Sequence, residues 1–199
     1  MWKMIILLAA VVVLGVLGCG GRTVTRTETD TVTDLSGRWN DTDARMVADS
    51  MVEQCLSGDW LDEYVNRRSG ESYQSKPTIV VGSVFNRSSE HIGTEVFMNE
   101  IERALLESER VQIAAGRGED VEIREERAEQ QMFASPETAA SFGREIGADY
   151  VMMGSVDSIV DEGGETRAIY YQVSLQLIDV ETSLKSWMGS LEIKKIVEW

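Results

Sequence analysis

The stretch from residue 77 to residue 115 constrains the fold most, because a strand pattern, a helix pattern and a second strand pattern follow one another. Residues 78–85 (TIVVGSVF) are rich in β-branched side chains and are too short and glycine-interrupted for a good helix. From Ile92 onward, apolar residues recur three or four positions apart, which predicts an amphipathic helix. Residues 111–115 then have the pattern of a short buried strand. Together these patterns predict a right-handed βαβ unit, with the helix covering one face of the sheet.

A polar segment, named the elbow below, connects the first predicted strand to this helix; it consists of Asn86, Arg87, Ser88, Ser89, Glu90 and His91. It follows the carboxyl end of a strand, where open sheets usually place their binding crevices. Its polar side chains include the one imidazole of the chain, and we predict that they recognise a partner. The alternative is a capped turn, in which Ser88 or Ser89 accepts hydrogen bonds from the first free amides of the helix.

Helix patterns also occur on both sides of the βαβ unit. The first has an apolar stripe and an N-cap at Asp41 or Thr42. The last begins with Ser135 followed by a proline and ends at Gly147. A segment between them is helical by propensity and so highly charged that a solvated face is expected. The helix patterns outside the βαβ unit cover residues 41–56, part of 60–75, 120–131 and 136–146.

Three strand patterns follow the last helix. Residues 149–160 form a long strand whose first half is apolar on both faces, and Gly163-Gly164 predicts a hairpin turn after it. Residues 169–180 alternate apolar and polar side chains, and a last strand alternates around Trp187. The expected fold is α/β in the mixed α+β sense, with four to five strands in one mixed sheet, flanking helices, a βαβ unit and a C-terminal antiparallel meander. The predicted sheet core includes Val80, Val84, Met152, Val173, Leu175 and Leu177, with Trp187 near its edge.

The N-terminus has the pattern of an export signal that ends in a cysteine. Residues 5–17 are an almost unbroken apolar run, shorter than the ~20 residues that span a bilayer, and residues 16–19 (VLGC) look like a bacterial lipobox. We predict a signal peptide over residues 1–18, lipid on Cys19, a flexible tether over 19–33 and one folded domain over 34–199. Gly20 follows the cysteine where an acid would indicate inner-membrane retention, so outer-membrane sorting is expected. The alternative is an ordinary signal peptide or anchor helix with an incidental cysteine.

The charge balance and the side-chain inventory exclude several function classes. A formal net charge of −15 argues against nucleic acid or anionic lipid as a partner of the folded domain. One histidine, and no phosphate loop, paired-cysteine motif or nucleophile motif, leave little material for a metal site or a catalytic relay. Cys55 lies on an apolar helix stripe and is expected to be a small buried hydrophobe. We therefore expect no enzyme, no metal and no cofactor beyond a covalent lipid on Cys19.

Four long segments and one tryptophan carry a resemblance to a known family: 34–45 (DLSGRWNDTDAR), 79–92 (IVVGSVFNRSSEHI), 147–154 (GADYVMMG) and 170–179 (YYQVSLQLID), with Trp187 after the last. They resemble the corresponding segments of the LpoB-type outer-membrane lipoproteins, which activate penicillin-binding proteins. This resemblance implies a domain similar to the N-terminal domain of TolB, facing the periplasm from a lipid anchor in the outer membrane. It also implies direct contact with a bifunctional peptidoglycan synthase, a penicillin-binding protein, as partner. The alternative function is that of a structural or secretion-accessory lipoprotein of the curli-export type.

The predicted tether differs from that of the best-understood members of this family, which carry a long Pro- and Gln-rich segment. About twenty residues separate Cys19 from the first predicted helix, and as a flexible coil they average roughly 25 Å end to end. Fully stretched, they reach at most about 70 Å. We therefore expect the domain to stay close to its membrane, so that the synthase has to reach toward it.

Overall fold

The computed structural model of the protein describes residues 24–29, 31–68, 76–114 and 135–199. The chain divides into two compact units, Met1–Thr31 and Val32–Trp199. In the first unit, residues 24–29 are exposed and have neither helix nor strand structure. The signal peptide, Cys19 and the charged segment 120–131 lie outside the described residues. The boundaries of the signal peptide, tether and domain therefore remain predictions.

The second unit contains a five-stranded mixed sheet with helices packed against it. The strand order is β2-β1-β3-β4-β5, in which β1 is parallel to β2 and β3, and the β3–β4 and β4–β5 pairs are antiparallel. This arrangement confirms the predicted mixed fold, the βαβ unit and the C-terminal meander. The elements are α1 Asp41–Leu56, α2 Asp59–Arg67, β1 Thr78–Asn86, α3 Thr94–Glu107, β2 Gln112–Ile113, α4 Pro136–Ile146, β3 Tyr150–Gly163, β4 Thr166–Asp179 and β5 Lys185–Glu198.

The helix ends follow from capping residues. Helix α1 begins after Asn40, whose side-chain oxygen accepts from the Asp43 amide at 3.1 Å while the Asp43 carboxylate accepts from the Asn40 amide at 3.0 Å. The predicted N-cap at Asp41 or Thr42 is therefore wrong, because this reciprocal pair satisfies two helix-end amides one residue earlier. Helix α4 has the predicted ends: the Ser135 side chain accepts from the backbone of the first turn, and Gly147 closes the helix with a φ of 75°.

The core has two parts, one on each face of the sheet. Helices α1, α2 and α3 bury one face in a large cluster, and α4 buries part of the other face in a smaller cluster. Val80 and Val84 were predicted in one core, but Val80 belongs to the smaller cluster and Val84 to the larger. The reason is a bulge in β1 between Val81 and Val84, which inserts one extra residue and reverses the facing of the strand. The other predicted core residues, Met152, Val173, Leu175 and Leu177, lie in the larger cluster, against which half-buried Trp187 packs.

The other differences concern strand ends. Strand β2 has two residues instead of the predicted five, because only Gln112 and Ile113 pair with β1. Strand β3 continues past residue 160 to Gly163, and Gly164 alone of the two turn glycines has a positive φ, 62°. The turn itself consists of residues 164 and 165, and its first position needs glycine because the backbone there is left-handed.

Strands β3, β4 and β5 continue beyond the end of β1. The last residue of β1, Asn86, pairs with Val156, so β3 has seven more residues with no partner in β1. At about 3.3 Å per residue these strands project roughly 23 Å past β1. This part of the sheet is called the three-strand extension below; it comprises residues 157–163 of β3, 166–172 of β4 and 192–198 of β5.

Candidate functional site

The elbow is closed by its own side chains. The Asn86 side-chain oxygen accepts from the Ser88 amide at 2.9 Å and from the Ser88 hydroxyl at 2.6 Å. The Asn86 side-chain nitrogen donates to the Glu90 carbonyl oxygen at 2.7 Å. An Asn side chain that bonds the backbone two and four residues ahead imitates a backbone turn and restrains the loop. Arg87, Ser89 and His91 are left exposed on this restrained loop.

The serines of the elbow do not cap the following helix. Helix α3 begins at Thr94, its N-cap is Gly93, and no side chain caps it. The Ser88 hydroxyl is occupied by the Asn86 side chain and the Glu90 backbone, and both bonds lie within the elbow. The capped-turn alternative is therefore wrong in its mechanism, because two further residues separate the elbow from the helix. The elbow is an independently closed loop.

Strand β3 and residues 34–39, the segment before α1, hold the elbow in place. The Arg87 amide donates to the Val156 carbonyl oxygen at 2.8 Å, and the Ser89 amide donates to the Ser158 hydroxyl at 3.3 Å. The Glu90 carboxylate accepts from the Trp39 amide at 3.2 Å. These bonds connect the elbow to strand β3 and to the segment before α1, so the loop is fixed on two sides.

A half-buried polar cluster joins Trp39, Glu90 and Tyr171. The Trp39 amide donates to the Tyr171 hydroxyl at 3.0 Å as well as to Glu90, and the Trp39 and Tyr171 rings meet edge to face at 5.6 Å. Burial, together with a hydrogen bond to the Glu90 carboxylate, raises the pKa of Tyr171 above its ordinary value. Its hydroxyl therefore remains protonated and can donate to Glu90 at neutral pH. Three segments that are far apart in sequence, 34–45, 79–92 and 170–179, meet at this point.

A second polar cluster attaches residues 34–39 to strand β5. The Lys195 ammonium lies 2.6 Å from the Asp43 carboxylate and 3.0 Å from that of Asp34, and it donates to the Arg38 carbonyl oxygen at 3.1 Å. The side chains of Lys195 and Asp43 are only 9% and 7% exposed. Residues 34–39 are thus held at both of their ends, and they lie on the sheet face that carries Tyr171.

A groove of about 220 Å³ opens on the opposite face of the sheet, beside the elbow. Its floor contains small side chains in register, since Ser155 pairs with Ser174, and Ser190, the partner of Ser174 on β5, continues this row beyond the groove. A row of longer side chains, from Met153 through Gln176 to Met188, forms one wall. Arg87 of the elbow also lines the groove, so the elbow and the groove form one continuous surface.

A larger cleft, of about 530 Å³, lies at the start of β3 and the end of β4. Three guanidinium groups line it, but three carboxylates line it as well, so its side chains carry no net charge. Arg67 lies 3.3 Å from Asp179, and Arg68 lies 3.2 Å from Asp149. The arginines therefore connect α2 to the sheet through ion pairs, and we assign this cleft a structural role. The charged residues in its lining are Arg67, Arg68, Arg144, Asp149, Asp179 and Glu181.

The remaining expectations from the sequence concern thiol and metal chemistry. Cys55 is fully buried, and burial raises the pKa of its thiol to about 12, so it is un-ionised at neutral pH. This confirms the expected small buried hydrophobe. In the described parts of the chain, no three His, Cys, Asp or Glu side chains are placed to hold a metal ion. Within those same residues, no helix has the length and apolar character needed to cross a membrane.

Sequence reasoning located the elbow but not the groove beside it. The groove depends on the pairing of three strands, which places serines 155, 174 and 190 side by side. The only signal in the sequence was a polar residue at alternate positions of each strand. That signal predicts a face that is not buried in the core, but it does not predict which residues become neighbours.

Comparison with known protein families gives one match. Residues 43–193 match the model of a protein family described as peptidoglycan-synthase activator LpoB. Among solved structures, the LpoB C-terminal domain from Salmonella enterica has 17% identity and a TM-score of 0.49, over 76% of this chain and 98% of that chain. The NMR structure of Escherichia coli LpoB has 15% identity and a TM-score of 0.49, over 92% and 86%. Lipoprotein GNA1162 from Neisseria meningitidis has 18% identity and a TM-score of 0.45, over 59% and 82%. No curated protein matches the chain in sequence.

Proposed function

We propose that this chain, which belongs to the LpoB family of peptidoglycan-synthase activators, is a non-catalytic lipoprotein that binds a penicillin-binding protein and activates it by contact. The observation that carries the proposal is the family match, which runs from the first turn of α1 to strand β5. Activation by a binding module requires it to bind the active state of the synthase more tightly than the inactive state. The direct test is to add the purified lipidated protein to the synthase: glycan polymerisation or cross-linking should accelerate, and an unchanged rate would refute the proposal.

The proposed contact surface is the elbow together with the groove that Arg87 lines. Two observations support this choice. The elbow is restrained by hydrogen bonds to its own backbone, to β3 and to Trp39, so little conformational entropy is lost when it binds. Its exposed Arg87 and His91 side chains have no hydrogen bond or ion pair with any other described residue, which leaves them available to a partner.

Replacing Arg87 and His91 together by alanine is expected to weaken synthase binding by more than tenfold. That loss equals ~1.4 kcal/mol of binding free energy. The melting temperature should not change, because both side chains are exposed and Asn86, not they, closes the loop. Binding would be measured by titrating the full lipidated chain in detergent onto the immobilised synthase, and stability by thermal unfolding.

The matched control for this pair is Lys185→Ala, which removes one exposed positive charge at the start of β5. It should bind as the unchanged protein does. A double variant that stays folded and still binds and activates normally would mean that the elbow is a closed turn with no part in recognition.

The proposed anchor is a lipid on Cys19 that holds the protein in the outer membrane, with the domain in the periplasm. Cys19→Ala is expected to release the protein into the soluble periplasmic fraction, because the folded domain carries a net negative charge and needs the lipid to stay on an anionic surface. Mass spectrometry of the mature N-terminus should find an acylated cysteine. Cys55→Ala is the control, since it removes the other thiol and should leave the protein in the membrane fraction. An unmodified Cys19, or cleavage elsewhere, would contradict the anchor.

A further inference from the structure

The outer face of the three-strand extension, the face opposite Tyr171, combines exposed apolar side chains with acidic ones. Three rows of paired positions follow one another across β3, β4 and β5, and a fourth row, Gly163–Thr166–Glu198, ends this face at the hairpin. In the central row Ile159 pairs with Tyr170, and Tyr170 with Lys194. The apolar residues on this face are far more exposed than core residues: Ile159 is 67% exposed and Ile196 56%. The three rows are Asp157–Gln172–Glu192, Ile159–Tyr170–Lys194 and Asp161–Ala168–Ile196.

The two faces of the extension differ in what covers them. On the inner face, Trp39 packs against Tyr171 and residues 34–39 bond to Lys195. On the outer face, α4 packs only against the start of β3 and the end of β4, at Val151 and Ile178. No other helix or strand among the described residues packs on the outer face of the extension. An exposed apolar patch with a polar rim is typical of an interaction surface.

The rim of this patch is acidic. Four carboxylates lie on the outer face of the extension, those of Asp157, Asp161, Glu192 and Glu198, whereas Lys194 is the one basic side chain among its outer positions, because Arg167 and Lys195 alternate to the inner face. The outer face therefore has an excess of negative charge around its apolar centre.

We propose that the outer face of the three-strand extension docks a patch of the synthase with apolar side chains at its centre and Lys or Arg side chains around them. Charge complementarity selects this occupant: like charges would oppose a second copy of the chain, and they would also oppose an anionic lipid surface. The inference rests on the proposed function and extends it, because the face is continuous with the groove beside the elbow through the row Ser155–Ser174–Ser190.

The test is a charge reversal at the rim, Asp157→Lys with Asp161→Lys, in the full lipidated chain. Binding to the purified synthase should weaken at least tenfold. Added salt should slow the association of the unchanged protein but not that of the variant. A second variant, Ile159→Thr with Ile196→Thr, keeps β-branched residues in the strands and should also weaken binding at least fivefold. Thermal unfolding would confirm that each variant is folded.

Two controls distinguish a specific effect of this face from a general effect of net charge or of surface hydrophobicity. Glu53→Lys with Glu63→Lys makes the same change in net charge on exposed positions of α1 and α2, and Val96→Thr removes an apolar side chain that is 56% exposed on α3. Both should bind within twofold of the unchanged protein. Equal weakening by the two charge reversals would overturn the inference, and so would normal binding by both extension variants. In either case the unchanged protein still binds and activates the synthase, whereas failure of the unchanged protein to do so refutes the proposed function itself.

Discussion

Leu175→Ala is expected to lower the free energy of unfolding by about 2–5 kcal/mol, the usual cost of truncating a fully buried leucine. Leu175 is 1% exposed in the larger core cluster, between Val173 and Leu177 on the same face of β4. Its neighbour across the sheet is Gly154, where a side chain would meet the backbone of β4, so little rearrangement can fill the cavity. Urea unfolding followed by circular dichroism would measure the loss.

The matched variant is Gln176→Ala, one residue further along β4 and on the opposite face. Gln176 is half-buried at the wall of the groove, and its truncation should cost less than about 1 kcal/mol. Similar losses from the two variants would mean that the strand is shifted by one residue, because a shift of that kind exchanges the two faces.

Lys195→Met is expected to destabilise the protein by about 3–5 kcal/mol, as is typical when one member of a buried ion pair is removed. The substitution keeps the length and volume of the side chain but leaves the buried Asp43 carboxylate without its cation at 2.6 Å. Asp34, which also lies 3.0 Å from the lysine nitrogen, loses the same partner. Two carboxylates would then share one site with no positive charge between them. The loss would be measured by the same urea unfolding.

The control for this substitution is Lys185→Met on the same strand. Lys185 is exposed, and its replacement should change stability by no more than about 0.5 kcal/mol. A cost below about 1 kcal/mol for Lys195→Met would contradict the buried ion pair and would mean that water solvates Asp43 in its place.

Much of the fold could be predicted because its elements are regular. The alternation along β4 predicted which side chains face the core, and the capping pattern before α4 predicted both of its ends. Val80 and Val84 are both buried as predicted, but their separation onto opposite faces was not predicted, because the bulge at Gly82 depends on pairing with β3, which a single strand does not reveal. The N-cap of α1 was missed for a related reason, since the reciprocal bonds of Asn40 and Asp43 outweigh the preference of either neighbouring residue.

The candidate site was predictable only in part. The elbow is a local feature, and its polar composition between a strand and a helix was sufficient to locate it. The groove, the Trp39–Glu90–Tyr171 cluster and the outer face of the extension all depend on contacts between different elements, with separations that range from 11 residues for Ile159 and Tyr170 to 132 for Trp39 and Tyr171. Ile159 and Ile196 illustrate the difficulty: each follows the strand alternation, but on the part of the outer face that α4 does not cover. These two side chains are exposed because α4 does not extend over this part of the sheet. The alternation along a strand does not indicate how far a neighbouring helix extends.

The fastening of residues 34–39 has a mechanical consequence for a protein held at its N-terminus. If Cys19 is anchored as proposed, any pull from the membrane enters the folded unit through this segment. Its polar attachments are the bonds of Lys195 to Asp34 and Arg38, and those of the Trp39 amide to Glu90 and Tyr171. Tension along the chain would therefore reach Glu90 in the elbow through the Trp39 amide, and it would reach the hydrophobic core through the Trp39 ring, which packs against Phe97 and Tyr171. Stretching of residues 34–39 and the position of the elbow would thus be coupled through the hydrogen bond from the Trp39 amide to Glu90.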